Sequence, residues 1–206
     1  MKLHAESHFR NIIMSTTRYS TAFAHVVSAG VCIWAIRAIR TSQQTLNFPL
    51  GSFGTFLVNS ALGILRFGNP EFGGKMKSVY GHTLFISKCV GLPCVATQMC
   101  LRYGIQEETA YIHLGCTTLP IIAHIFKDKR EKKLLDMVML FNLISAVYFS
   151  YLNVNHYGLA MAISYTINHF IIGTDSTAFD TSVPSLDLFM YGCCFFYFFA
   201  VRTLLD

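Results

Sequence analysis

The chain has 206 residues, of which 53% are hydrophobic and only 13% are charged, and its formal net charge at pH 7 is +5. Charged residues make up about 25% of an average soluble domain, so this composition excludes an ordinary soluble domain and predicts an integral membrane protein. The positive charge lies mostly beside apolar segments, where membrane topology and anionic lipid account for it without a nucleic-acid partner.

Residues 1–18 are polar and carry Lys2, Arg10 and Arg18 against Glu6. Such a segment is typical of a cytosolic tail, of the start of a signal peptide or of a mitochondrial presequence. The apolar segment that follows is long enough to span a membrane and is not followed by a convincing small-x-small cleavage site, which favours the tail. We therefore favour an endomembrane or plasma-membrane protein over one of the mitochondrial inner membrane.

Seven apolar segments follow the tail, each close to the length that a membrane-spanning helix needs. They predict an all-α, polytopic membrane helix bundle with about seven transmembrane helices, which form a single domain over residues 19–206. The predicted segments are 19–36, 48–65, 79–101, 109–126, 134–153, 155–173 and 186–205. The fifth and sixth segments must be antiparallel neighbours, because the join between them is very short.

Small and helix-breaking residues mark particular segments. Gly51, Gly54 and Gly63 interrupt the second segment, which is therefore the one most readily re-entrant. The small side chains at residues 60–63 would let a neighbouring helix approach closely. Pro93 and Pro120 can kink the third and fourth segments, because proline removes a helical hydrogen bond.

The basic loop 127–133, Lys-Asp-Lys-Arg-Glu-Lys-Lys, orients the chain. With seven crossings, the side of the amino terminus carries eleven of the sixteen Lys and Arg residues, the other side carries four, and Lys88 lies within a span. Cytosolic loops are enriched in Lys and Arg, so we predict a cytosolic amino terminus and a carboxyl terminus that is outside or lumenal. The basic side chains of the loop are also predicted to bind anionic lipid headgroups. They are Lys127, Lys129, Arg130, Lys132 and Lys133.

Two ionisable residues, Lys88 and Asp136, are predicted to be buried charges. Lys88 lies about nine residues into its span, or roughly 13 Å at 1.5 Å per residue. A lysine near a helix centre costs roughly 2.5–3.5 kcal/mol on insertion scales, which implies either a water-filled cavity or a partner such as Asp136 or Asp175. The alternative is that the Lys88 side chain extends to the membrane interface.

Histidines and aspartates near helix ends predict a second polar site. Under the predicted topology these residues all lie toward the cytosolic side, where they could bind Zn²⁺ and leave one position open for water. The candidate ligands are His82, His124, His169 and Asp175. Histidine and aspartate are also tolerated at the interface without any ligand, and no two histidines of the apolar segments have the i, i+4 spacing of a helical ligand pair. The seven cysteines lie in apolar stretches without disulfide or zinc spacing and are interpreted as small apolar helix residues.

Three classes of function agree with this pattern. We favour a membrane scaffold or accessory subunit, which acts through helix contacts with a membrane-protein partner and needs neither a cofactor nor catalytic residues. The first alternative is a metal-dependent, lipid-modifying hydrolase that uses zinc at the cytosolic-side histidines. The second alternative is a small transporter or channel that uses Lys88. The chain has no phosphate-binding loop, nucleophile elbow or Cys-x-x-Cys motif, so nucleotide and thiol redox chemistry have no support.

Overall fold

The computed structural model describes residues 18–42, 46–71, 73–174 and 183–206. Of these described residues 84% are helical and none forms a strand, which confirms the all-α prediction. The helices are α1 Tyr19–Thr41, α2 Asn47–Gly68, α3 Lys77–Arg102, α4 Glu107–Gly115, α5 Thr118–Ile125, α6 Glu131–Leu152, α7 His156–Thr166 and α8 Ser185–Leu205, and a π-helical segment, Ile167–Ile172, continues α7.

Five helices, α1, α2, α3, α6 and α8, are long and apolar enough to cross a membrane. Their outer surfaces carry large apolar side chains such as Phe23, Ile144 and Phe195, which are 61–63% exposed. Exposed apolar surface on this scale is stable where lipid rather than water covers it. The protein is therefore a membrane-embedded helical protein.

The other two predicted segments are divided. Segment 109–126 forms α4 and α5, which are separated at Cys116 and Thr117. Pro120 explains the break, because its ring would clash with the carbonyl of Cys116 four residues earlier in a continuous helix. Segment 155–173 forms α7 and the π-helical segment. Each piece alone is too short to cross a hydrocarbon core of about 30 Å.

The glycine-containing second segment forms one continuous helix, α2, and its small residues contact α1. An added Cβ at Gly63 would lie 2.5 Å from the ring of His25, so only glycine permits this approach. The hydroxyl of Ser60 donates a hydrogen bond to that of Ser28, with 3.2 Å between the oxygens. The close helix contact predicted for this stretch is therefore present between α1 and α2.

The basic loop is shorter than predicted, because α6 begins at Glu131 and includes the last three residues of the basic run. The carboxylate of Asp128 accepts a hydrogen bond from the backbone N–H of Arg130, at 2.8 Å, which ends the loop in a tight turn. The Arg130 guanidinium lies 2.8 Å from the same carboxylate and lowers its pKa. Glu131 at the first turn of α6 is also favourable to the helix dipole.

Helix α3 lies at the centre and packs against α2, α4, α5, α6 and α8, while α1 packs against α2 and α8. The hydroxyl of Thr21 near the start of α1 donates a hydrogen bond of 2.6 Å to Asp187 near the start of α8. These two helices therefore begin at one end of the bundle, which we call the upper end. The guanidinium of Arg102 donates to the Thr203 carbonyl at 2.8 Å, at the opposite or lower end.

The core between the helices is largely aromatic. The largest fully buried side chains include Tyr80, Tyr197, Phe53 and Phe56. All seven cysteines are free thiols, five of them buried and two partly buried, which agrees with their interpretation as small apolar residues. The α6–α7 connection is short, and the two helices pack together as predicted.

Candidate functional site

A cavity of about 760 Å³ opens at the upper end of the bundle, between α3, the α5–α6 connection and the end of the π-helical segment. Its volume lies within the range of about 300–1,000 Å³ that is usual for small-molecule sites. Lys75, Lys77 and His82 line the cavity and are exposed, so the cavity is accessible from solvent at this end.

One wall of the cavity is a single face of α3. Lys77, Gly81 and Lys88 lie on this face, because spacings of four and seven residues bring side chains above one another in a helix. A Cβ added at Gly81 would meet no atom within 4 Å, so this glycine leaves open space in the wall.

Lys88 is the deepest cation of this wall. It lies eleven residues after the first residue of α3, or roughly 16 Å along the helix axis. Its ammonium group donates a hydrogen bond to the hydroxyl of Thr174 at 3.2 Å and lies 5.7 Å from the centre of the Phe189 ring. The side chain is half-buried and lines the cavity.

A chain of polar contacts forms the second wall. The Nδ1 atom of His82 lies 2.7 Å from Nε2 of His124, and Nδ1 of His124 lies 3.0 Å from a carboxylate oxygen of Glu131. The ring of His124 stacks on Phe85 with 4.1 Å between centres, which fixes its orientation. The contact with Glu131 is close but lacks hydrogen-bond geometry, and which ring of the His82–His124 pair donates depends on their tautomers.

The third wall contains a buried histidine and a partly exposed carboxylate. Nε2 of His169 lies 2.9 Å from the Asp136 carboxylate, and the two side chains are 4% and 41% exposed. His169 belongs to the π-helical segment, a rare conformation that occurs frequently at functional sites. Gly173, which has a φ of +63°, ends this segment, and Thr174 beside it reaches Lys88. Glycine adopts that φ without strain.

Among the lining residues that the structure describes, positive charge predominates, because four are lysines and two are carboxylates. The lysines are Lys75, Lys77, Lys88 and Lys132, and the carboxylates are Glu131 and Asp136. The ring of His169 neutralises part of the Asp136 charge only when it is protonated. The arrangement therefore attracts anions and repels free divalent cations.

The structure brings most of the predicted site residues together. His82, His124 and His169 line this cavity with Lys88 and Asp136. Asp175 lies outside the described residues. Within the described ranges, no three His, Cys, Asp or Glu side chains are grouped closely enough to hold a metal ion. The zinc site stays a prediction, and Asp136 is not fully buried.

Several of the lining residues were not predicted from the sequence to belong to the site. They include Lys75, Lys77, Glu131 and Thr174. The sequence did contain one indication of Lys77, because its spacing places it on the same helical face as Gly81 and Lys88. Nothing in the sequence signalled Thr174, whose position depends on the turn at Gly173.

Of the predicted headgroup-binding residues, Lys132 lines the cavity. The other four are exposed on the connection between α5 and α6 and on the first turn of α6. They are Lys127, Lys129, Arg130 and Lys133.

Comparison of the chain with protein-family models, with curated proteins and with solved structures gave no match.

Proposed function

We propose that this protein is a multi-pass membrane protein whose upper-end cavity binds an anionic ligand that carries a phosphate or a similar group. The observation that carries the proposal is the convergence of Lys75, Lys77, Lys88 and Lys132 on one open cavity. Three of these lysines belong to α3 or to the turn before it and the fourth belongs to α6, so the charge of one local loop does not explain their meeting. Each hydrogen bond between an ammonium group and an anion contributes about 1.5–3 kcal/mol.

In the proposed topology the chain crosses the membrane seven times, and the upper end faces the cytosol. The five long helices would each cross the membrane once, and the two divided segments, α4–α5 and α7 with its π-helical segment, would supply the other two crossings. The positive-inside tendency supports this orientation, because the basic residues of the described loops lie mainly at the upper end. The site would then meet cytosolic anions and the anionic headgroups of the cytosolic leaflet.

The four exposed basic residues beside the cavity extend this role to the membrane surface. Lys127, Lys129, Arg130 and Lys133 would contact anionic headgroups, at about 1 kcal/mol for each residue close to the surface. We propose an endomembrane or the plasma membrane as the location of the protein.

A metal-dependent hydrolase of lipids is the second candidate. The observation that favours it is that His82, His124 and His169 line one cavity, with carboxylates next to two of them. The surplus of lysines favours an anion over a divalent cation in the same space. Metal analysis of the purified protein distinguishes the two candidates, because the hydrolase requires close to one zinc ion per chain.

The scaffold and transporter interpretations require features beyond the cavity itself. An accessory subunit would use the outer faces of the helices, and recovery of one membrane-protein partner by crosslinking would support it. A transport route would have to continue below Lys88, but residues 91–100 of α3 are all buried. This packing supports a binding site that is closed at its lower side.

The proposal is tested by titrating the purified protein with inorganic phosphate in detergent. We expect Lys88→Gln and Lys132→Gln each to weaken binding by about 10-fold or more, which corresponds to losing about 1.4 kcal/mol or more. Arg40→Gln is the matched control, because it removes one positive charge from an exposed position at the lower end. Equal phosphate affinity in all three variants would refute anion binding in this cavity.

A separate measurement tests the topology. Tags on the two termini should be accessible from opposite sides of the membrane, with the amino-terminal tag on the cytosolic side. Tags on the same side would refute seven crossings.

A further inference from the structure

We propose that the ligand is an anionic phospholipid, whose headgroup occupies the cavity while one acyl chain lies in an apolar groove between α6 and α7. This inference rests on the proposed anion-binding function and names the class of ligand. The groove is a separate feature from the cavity and supplies its own evidence.

The groove has a volume of about 550 Å³ and runs along the outer surface of the α6–α7 pair. Its lining is almost entirely apolar and includes Leu140, Ile144, Val147, Tyr151 and Phe170. These five side chains are 43–73% exposed, so they form an open channel on the surface that faces lipid. An acyl chain matches the chemistry of such a surface.

The cavity and the groove share no lining residue, but they lie on successive turns of the same two elements. Leu140 of the groove lies one helical turn beyond Asp136 of the cavity, on the same face of α6. On the facing element, Phe170 of the groove directly follows His169 of the cavity. The bond between His169 and Asp136 joins the two elements at this boundary. A polar site and an apolar groove therefore follow one another along the same pair of elements.

The direction and length of the groove fit one lipid molecule. From Leu140 to Tyr151 the groove extends over eleven residues of α6, or roughly 16 Å at 1.5 Å per residue. One leaflet occupies about half of a hydrocarbon core of about 30 Å, so this length is close to that of an acyl chain. The polar cavity lies at the upper end of the bundle and the groove lies deeper, from roughly 13 Å to roughly 30 Å below the first residue of α6, so a lipid held in both would have its headgroup drawn below the upper surface.

Charge complementarity indicates an anionic phospholipid rather than a neutral lipid. Four lysines surround the headgroup position, while the carboxylate nearest to the groove, Asp136, is held by His169. A phosphate on the lysines and a chain in the groove would use both surfaces at once. A free phosphate ion would use only the cavity.

The experiment compares two probes, fluorescent phosphatidic acid and inorganic phosphate, on the full-length protein in detergent. Ile144→Trp places a larger side chain in the middle of the groove. We expect it to weaken phosphatidic acid binding by about 5-fold or more, roughly 1 kcal/mol, and to leave phosphate binding unchanged. Ile33→Trp is the matched control, because Ile33 is an exposed isoleucine of α1 that lines neither the cavity nor the groove.

The outcomes separate this inference from the proposed function. If Ile144→Trp and Ile33→Trp bind phosphatidic acid equally well, the groove assignment is overturned while anion binding in the cavity stands. If Lys132→Gln leaves the phosphate affinity unchanged, the proposed function fails first. As a measurement without substitutions, phosphatidic acid with a photoreactive acyl chain should label α6 or α7 at the groove. Labelling confined to other helices overturns the inference.

Discussion

The contact between Gly63 of α2 and His25 of α1 gives a sharp test of how the first two helices pack. Replacing Gly63 with alanine places a Cβ 2.5 Å from three atoms of the His25 ring. The ring cannot easily move away, because His25 is fully buried, Nε2 lies 3.0 Å from the Tyr80 hydroxyl and the ring stacks on Phe67.

The expected cost follows from these contacts. Overpacking of a tight core costs about 1–3 kcal/mol. Loss of the bond to Tyr80 would leave a buried polar group without its partner, at about 1–3 kcal/mol. Alanine regains about 1 kcal/mol through its higher helix propensity. Gly63→Ala should therefore destabilise the protein by about 1–5 kcal/mol.

Thermal unfolding of the purified protein in detergent measures this effect. Gly54→Ala is the control on the same helix, because a Cβ there meets no atom within 4 Å. We expect Gly54→Ala to be neutral or slightly stabilising and Gly63→Ala to lower the unfolding midpoint by several degrees. In a protein that already carries His25→Ala, Gly63→Ala should lower the unfolding midpoint much less, because the obstructing ring is gone. Equal midpoints for the two glycine variants would show that α1 and α2 do not pack as described.

Two further pairs of substitutions, each a test and its control, probe polar contacts at the two ends of the bundle. The Asn155 side chain caps α7 by accepting a hydrogen bond of 2.9 Å from the Gly158 N–H, and it donates hydrogen bonds to the Tyr103 hydroxyl and the Thr203 carbonyl. Asn155→Ala should therefore lower the free energy of unfolding by about 1–2 kcal/mol, measured by thermal unfolding. Asn153→Ala loses only a hydrogen bond to the Phe149 carbonyl of its own helix, so its free energy of unfolding should stay within about 0.5 kcal/mol of the wild type. Equal losses of stability in Asn155→Ala and Asn153→Ala would contradict the capping role of Asn155. At the upper end, Asp187→Asn keeps an oxygen that can accept from Thr21 and should unfold near the wild-type midpoint, whereas Asp187→Leu should lose about 1–3 kcal/mol. A stable Asp187→Leu protein would show that this buried bond contributes little.

The sequence predicted the helical segments well because hydropathy is a local property. Each of the seven apolar segments corresponds to a helix or to a pair of consecutive helical pieces, and most predicted ends differ from the observed ones by three residues or fewer. The breaks were harder to place. Pro120 was recognised as a possible kink, but its effect falls earlier, at Cys116 and Thr117, because the proline ring acts on the preceding turn.

The polar site was only partly predictable. The sequence singled out His82, His124, His169 and Lys88 as chemically unusual, because ionisable side chains within or beside membrane segments are costly. The predicted topology also placed the three histidines toward the same side of the membrane. Sequence spacing gave no means of pairing His82 with His124, since 42 positions separate them.

By itself, the sequence determined that this is a helical membrane protein with ionisable residues placed along its apolar segments. Only the tertiary structure decided that α3, α6 and the π-helical segment turn these residues toward one cavity, and that an apolar groove continues from it. The physical reason is that hydrophobicity is set residue by residue, whereas the rotation and the neighbours of each helix depend on packing contacts such as Gly63 against His25. A ligand site built from several helices therefore becomes visible only when those contacts are known.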